Sequence, residues 1–449
     1  MDFIPPLAQP LLLAFAATFT HPTFQRWLLL LVAAILTPGG HTISNLLRTV
    51  SLLAAGQPSS YHRVFSHRRW AVWGVGRALA GFILTHGVPE GPVYVAGDDT
   101  VDEHPGRKVF GKARHRDPVR SSHSFTAYRW GHKWVVLSIL VKFSFATRPW
   151  ALPVLVVLYR SEEWNRKHGR RHKTPATLMR QLLAVLIHWF PERHLIFAGD
   201  GSYGTHDLAR FAHQQRRHLT VVSRFYPNAN LYAPPPAVLG KPKAGRPRQK
   251  GAKQPAPQQV VAGAKRRRMT VGWYGGTTRK VEVVSGTAHW YKGGQGLVAV
   301  LGVFVHDLTG THRDEYFFTT AVKMPRPQLV ETYTGRGSIE TTFQELRAYL
   351  GLETTRGRTQ ATVRRAAPCL FGLFSVVALL YALLPARYSR GGYVLWSGKS
   401  EVTFSDAITA VRRWVWVEWV FVTCGHKQAF TKLPRPLRAV LLYALAPAA

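Results

Sequence analysis

Apolar runs at residues 11–18 and 26–36 are separated by His21-Pro22, where proline disfavours helix in the residue before it. Each run reads as a helix. Pro38-Gly39-Gly40-His41 is a turn, and Thr42 or Ser44 then caps a third helix expected to run through Leu53. From residue 92 the pattern turns to β. Residues 92–100, PVYVAGDDT, read as a short buried strand running into acids. Residues 124–141 read as a hairpin turning at Trp130-Gly131-His132, and residues 152–159 as another strand. Residues 161–175 read as a loop ending in Thr174-Pro175, an N-cap and first-turn pair that opens a helix to about Phe190. A strand at 193–198, a helix after Gly199-Asp200 and a strand at 218–225 follow. This alternation predicts an α/β core with a mixed sheet.

Beyond residue 226 three strand-like pieces, 278–291, 296–307 and 315–320, make a β-rich segment. Residues 333–351, YTGRGSIETTFQELRAYLG, then read as one helix. Tyr333, Arg336, Glu340 and Arg347 are spaced by three, four and seven, close to one face at about 3.6 residues per turn. Ile339, Phe343, Leu346 and Leu350 form the adjacent apolar stripe. Apolar helices near 368–384, 410–422 and 438–446 complete the chain, and no internal repeat is evident.

The 449 residues suffice for two or three domains. Charge changes the picture most: 59 Lys and Arg stand against 23 Asp and Glu, a net charge of +36. That excess calls for a polyanion, nucleic acid first and an anionic membrane surface second. Residues 241–268 contain no acid and read as a flexible basic loop ending in Arg266, Arg267 and Arg268. The basic stretch His62, Arg63, His67, Arg68 and Arg69 makes the N-terminal helices a DNA-binding module or a plain packing domain. Cys369 and Cys424 lack metal spacing and read as free thiols in a reducing compartment. His168 and His172 sit among basic residues that repel a cation, so a zinc site is not expected. Residues 366–385 are long and apolar enough for a bilayer, about 20 residues, but read as a buried core helix. No signal peptide is expected, because Asp2 and no basic region precede the first apolar run.

Acids are scarce, so Asp98 after VYVAG, Asp200 after LIFAG and Glu340 stand out. Ligands of open α/β sheets collect at strand ends. Carboxylates converging from separate elements repel unless a divalent cation lies between them. Mg²⁺ takes a few carboxylates, water and phosphate oxygens, and a pair of such ions can clamp a phosphoryl transfer. Asp102, Glu103 and Glu345 lie near these motifs and are expected to be solvated or salt-bridged.

GDDT at 97–100, AGDGSYG at 198–204 and Tyr333-x₂-Arg336-x₃-Glu340-x₆-Arg347 resemble the three signatures of DDE transposases of bacterial insertion sequences. The likeness spans roughly residues 40 to 365 and is to the subgroup with the Tyr-Arg-Glu-Lys signature and a β-rich insertion. Arg347 departs from the usual Lys: the charge survives, but a Lys-shaped contact to phosphate does not necessarily.

The resemblance implies a ribonuclease H-like catalytic core with a β-rich insertion and with N-terminal and C-terminal helical regions. Its divisions are 1–88 (helical, DNA-binding), 89–225 (first part of the core), 226–322 (basic insertion), 323–365 (catalytic helix) and 366–449 (helical). It implies Asp98, Asp200 and Glu340 as catalytic metal ligands for Mg²⁺ or Mn²⁺, two ions, with Asp99 competing for the first position. Tyr333, Arg336 and Arg347 would hold phosphates, and Arg266, Arg267 and Arg268 would contact DNA. Trp290, with Trp273 as rival, would stack a flipped base; a core tryptophan is the other reading.

The implied activity is cut-and-paste transposition: binding terminal inverted repeats, cleaving strands and joining them to target DNA. Implied partners are duplex DNA and a second copy in a synaptic dimer, with no membrane, in the bacterial cytoplasm at the nucleoid. The alternatives are an inactive, domesticated DNA-binding descendant, a membrane-associated basic protein and a general two-metal nuclease.

Overall fold

The computed structural model describes residues 4–117, 120–122, 124–236, 249–389, 399 and 401–447. Residues 241–248 of the expected basic loop, with Lys241 and Lys243, lie outside these residues. Among the described residues there are eleven strands: β1 Val93–Glu103, β2 Ala113–Arg116, β3 Tyr128–Val141, β4 Trp150–Tyr159, β5 Leu195–Gly199, β6 Leu219–Arg224, β7 Leu231–Tyr232, β8 Arg267–Gly272, β9 Thr278–Lys292, β10 Gly296–Asp307 and β11 Glu315–Thr319. The architecture is mixed α/β, a central sheet with helical regions at the N- and C-terminal ends of the chain, as a ribonuclease H-like core with an insertion requires. Two compact units divide it: Met1–Pro89, Asp99–Lys173 and Glu340–Ala449 form one, and Glu90–Asp98 with Thr174–Ile339 the other.

The first unit is built on β3, which pairs antiparallel with β4 along its length and with β2 at its start. The helix Gln360–Leu383 packs on β4 and against the helices Val72–His86 and Phe404–Val415. It is the one helix among the described residues long and apolar enough to cross a bilayer. Its apolar surface is mostly buried, and Ser375 donates its hydroxyl proton to the Pro153 carbonyl at 2.9 Å. Among the N-terminal helices, Thr42 caps Ile43–Thr49 through the Asn45 amide; residues 51–53 follow as a separate 3₁₀ turn. His62, Arg63, His67, Arg68 and Arg69 are exposed.

Two expectations fail in this unit. No hairpin turns at residues 130–132, because β3 runs straight through them. Gly131 serves close approach instead: a Cβ there would lie 1.6 Å from the Asp102 carbonyl oxygen. Residues 162–167, expected as loop, form a short helix capped by the Ser161 hydroxyl.

In the second unit, β1, β5 and β6 are parallel, with Gly97 opposite Gly199 and Gly199 opposite Ser223. β11 joins antiparallel to β6, and β10 and β9 continue the sheet. The β-rich segment therefore shares a sheet and a core with the parallel strands. Phe317, Val303, Val281, Trp273 and Tyr333 belong to that core, covered by the helix Arg326–Gly335. The helix Pro175–Trp189 opens as expected, with Thr174 accepting from the Thr177 amide.

Candidate active site

The expected single helix over 333–351 is two helices, Arg326–Gly335 and Ser338–Tyr349. Arg336 and Gly337 form a tight turn between them, with Gly337 donating to the Thr334 carbonyl and Ile339 to that of Arg336. Glycines on both sides of Arg336 lower the cost of breaking the helix there. Tyr333 thus ends the first helix, while Glu340 and Arg347 belong to the second. Gly351, at φ +59°, follows the second helix in a conformation suited to glycine.

The register of β1 and β5 decides where the first two acids lie. Gly97 faces Gly199 in the last pair of the two parallel strands, so Asp200 follows the end of β5 while Asp98 lies within β1, one residue past the stretch that pairs with β5. A Cβ on Gly97 would lie 2.4 Å from Phe197 Cε2, so glycine is required beneath the acids. Asp98 Oδ2 accepts from Arg336 Nη1 at 2.9 Å, with the side chains 16% and 8% exposed. Asp200 Oδ1 accepts from the Ser202 amide at 2.9 Å and its hydroxyl at 2.6 Å. Those bonds hold its carboxylate over the tight turn that starts at Gly201.

Tyr333 is fully buried, its ring 4.3 Å from that of Phe317. The guanidinium groups of Arg224 and Arg336 lie 5.8 and 5.7 Å from its ring centre. Burial pushes its phenol up to about 12, against the pull of these two cations. Its hydroxyl meets no hydrogen-bond partner among the described residues. Arg224, at the end of β6, also pairs with Glu315. Sequence reasoning missed Arg224, since one more arginine in a chain so rich in them is no signal. Only the β6–β11 pairing, which sets Arg224 opposite Phe317, brings it to Tyr333.

In the other unit, Arg347 donates to the Thr100 hydroxyl and to the Val101 carbonyl of β1, and contacts Glu353 at 3.3 Å. Asp99 pairs with Lys133 at 2.8 Å, on the face of β1 opposite to Asp98. Glu340 is exposed in the first turn of its helix. Asp102 is buried and accepts from the His132 amide at 3.0 Å, and Glu103 lies 3.6 Å from Arg129. Glu345 corrects the expectation of a solvated acid: burial pushes its carboxyl up to about 7, with Arg148 opposing.

Trp290 is corrected as well. Its ring is buried among His206, Phe225 and Phe318, and His206 bonds the Trp290 carbonyl at 3.1 Å. Both it and Trp273 are core residues here, with no ring face open to a base. Arg266, Arg267 and Arg268 are exposed, and Glu282 pairs with Arg268 at 3.1 Å and Arg266 at 3.8 Å.

The sequence matches the family described as DDE superfamily endonuclease over residues 14–280, more than half of the chain. The chain belongs to this DDE endonuclease family. The matched span contains Asp98 and Asp200 and ends before Glu340. No curated protein sequence matches. Among solved structures, one similar to this DDE endonuclease is a cryo-EM structure of a piggyBac transposase synaptic complex with hairpin DNA. It is 12% identical, covers 99% of this chain and 84% of that one, and has a TM-score of 0.42.

The donor chemistry of this DDE endonuclease suits a hard cation. Asp98 and Asp200 offer carboxylate oxygens directly after the paired glycines Gly97 and Gly199. Among the described residues, no three His, Cys, Asp or Glu side chains gather into a group able to hold an ion.

Proposed function

We propose that this DDE endonuclease is a transposase of the insertion-sequence subgroup with the Tyr-Arg-Glu-Lys signature. In this reading it binds terminal inverted repeats, cleaves DNA strands and transfers them to target DNA. The observation that carries it is the pair of carboxylates, Asp98 and Asp200, each directly after the last paired glycines, Gly97 and Gly199, of β1 and β5. Asp98 rather than Asp99 is the first catalytic acid: it directly follows the Gly97–Gly199 pair as Asp200 does, while Asp99 points to the opposite face and pairs with Lys133. Glu340, in the first turn of its helix, is the third.

Asp98, Asp200 and Glu340 would hold Mg²⁺ or Mn²⁺, two ions, and a cation there supplies charge neutralisation at the phosphate and a more acidic water. The buried Tyr333 hydroxyl, with Arg224 and Arg336 beside it, is suited to donate to a phosphate oxygen. Arg336 pairs with Asp98, and Arg347 donates to Thr100 of β1. Water attack on the phosphodiester breaks the bond to the 3′ oxygen and leaves a 3′-hydroxyl and a 5′-phosphate. That hydroxyl then attacks a target phosphodiester, joining the strands and releasing a new 3′-hydroxyl.

The division 1–88, 89–225, 226–322, 323–365 and 366–449 assigns end recognition to the first segment. Arg266, Arg267 and Arg268 give the 226–322 insertion its phosphate contacts. Two copies would synapse two ends, at the bacterial nucleoid. A second reading, an inactive DNA-binding descendant, is favoured by the lack of a three-ligand group among the described residues. The experiment is cleavage of labelled DNA carrying the inverted repeats that flank the coding region, beside unrelated DNA. Cutting at the repeats supports a transposase. Cutting of both DNAs alike indicates a nuclease, and binding without cutting indicates the inactive descendant.

A further inference from the structure

The β2–β3 hairpin shows an outward face that the active-site reading does not use. Along β2, Ala113 and His115 point inward while Arg114 and Arg116 point out. β3 answers in register, with Trp130 opposite Arg114 and Tyr128 opposite Arg116. These rings are bare: Trp130 is 59% and Tyr128 49% exposed, and Phe125, just before the strand, is 65% exposed. Large aromatic surface left in water is costly, so its concentration on one small face points to a ligand.

Cations interleave with the rings. The Arg114 guanidinium lies 3.9 Å from the centre of Tyr128, and Lys112 Nζ lies 5.9 Å from that of Trp130. The nearby acids turn elsewhere: Asp117 is buried against Arg129 at 2.5 Å, and Glu103 also contacts Arg129. The face is therefore aromatic and positive. The inward side is fixed by the close approach of Gly131 to Asp102, which holds the outward rings on a rigid strand.

We propose that this face, Arg114, Arg116, Tyr128 and Trp130, binds unpaired DNA, stacking bases on Trp130 and Tyr128 while the cations take the phosphates. Every base has a π-face, so such a platform is tolerant of sequence, and positive charge beside the rings favours a polyanion over an apolar partner. Tyr128 and Trp130 are two residues apart on one face, about 7 Å, which suits successive bases pulled out of a duplex. The same strand carries Lys133, three residues on, which pairs with Asp99 beside the first proposed catalytic acid. DNA opened near a cut is thus the natural ligand. The choice of DNA rests on the proposed function; the stacking chemistry does not.

The test is fluorescence anisotropy of the full chain with a labelled oligothymidylate and a labelled duplex of equal length. Trp130→Ala should weaken oligothymidylate binding by about tenfold, the scale of one lost base stack. Trp130→Phe should retain most of the affinity, and the duplex affinity should change less than twofold in both variants. The exposed position leaves folding intact, which circular dichroism checks. Equal affinity of Trp130→Ala and wild type for oligothymidylate, or equal loss on both DNAs, would overturn the proposal. So would loss only of binding to anionic vesicles. A protein that stacks oligothymidylate through Trp130 yet cuts no DNA would sustain this site while removing the catalytic reading.

Discussion

Replacing Arg336 by Gln tests what the arginine does for Asp98. The guanidinium lies 2.9 Å from Asp98 and both side chains are mostly buried. Without it, the Asp98 carboxylate loses this counter-charge in a mostly buried setting. Breaking a mostly buried ion pair on one side costs about 3–5 kcal/mol in general. We therefore expect Arg336→Gln to destabilise the unit of residues 90–98 and 174–339 by about 3 kcal/mol at pH 7.

Adding Asp98→Asn should restore about 2 kcal/mol, since a neutral amide needs no counter-charge. The assay is hydrogen exchange of the β1 and β5 amides under increasing urea, which reads local opening of this unit rather than of the whole chain. Arg336→Gln within about 0.5 kcal/mol of wild type, or a double variant no more stable than the single one, would refute the electrostatic reasoning.

Gly131→Ala puts a Cβ against the Asp102 carbonyl and should cost about 3 kcal/mol or more, read as a lower urea midpoint. Glu345 has its carboxyl raised from 4.5 to about 7, so its protonated form stabilises the fold below pH 4.5 and that contribution is lost as pH rises through 7. Between pH 4 and 8 the loss should reach about 2 kcal/mol after solvent screening, and Glu345→Gln should flatten that part of the stability profile. Buried His115 has its imidazole lowered from 6.5 to about 4, by burial first and Lys133 second. It stabilises above pH 6.5 and loses that contribution as pH falls towards 4, a loss that His115→Gln should reduce in an acid titration followed by near-ultraviolet circular dichroism.

The strands before the two acids were legible in the chain because VYVAG and LIFAG are short apolar runs, and they pair in parallel from Val93 to Gly97 and from Leu195 to Gly199. The end of the first was not, because β1 runs on past Asp98 to Glu103. The helix over 333–351 was half legible. Its helical content was right, but Gly335 and Gly337 made a break cheap, so Tyr333 ends one helix and Glu340 and Arg347 belong to the next. Gly131 misled because glycine between aromatic residues reads as a turn, whereas here the requirement is non-local, the backbone of β1. Trp290 is buried by His206, Phe225 and Phe318, all distant in sequence, and Arg224 depends on the equally distant pairing of β11 with β6. The exposed rings of β3 are visible in the sequence as letters, but only the register with β2 puts them on one face with arginines.

The measurement that bears most directly on the catalytic claim is cleavage of labelled repeat ends in Mg²⁺ by wild type, Asp200→Asn and Glu340→Gln, with end binding measured in parallel. The account predicts that both variants bind the ends nearly as wild type does and cut none of them. Full cleavage by either variant would contradict it.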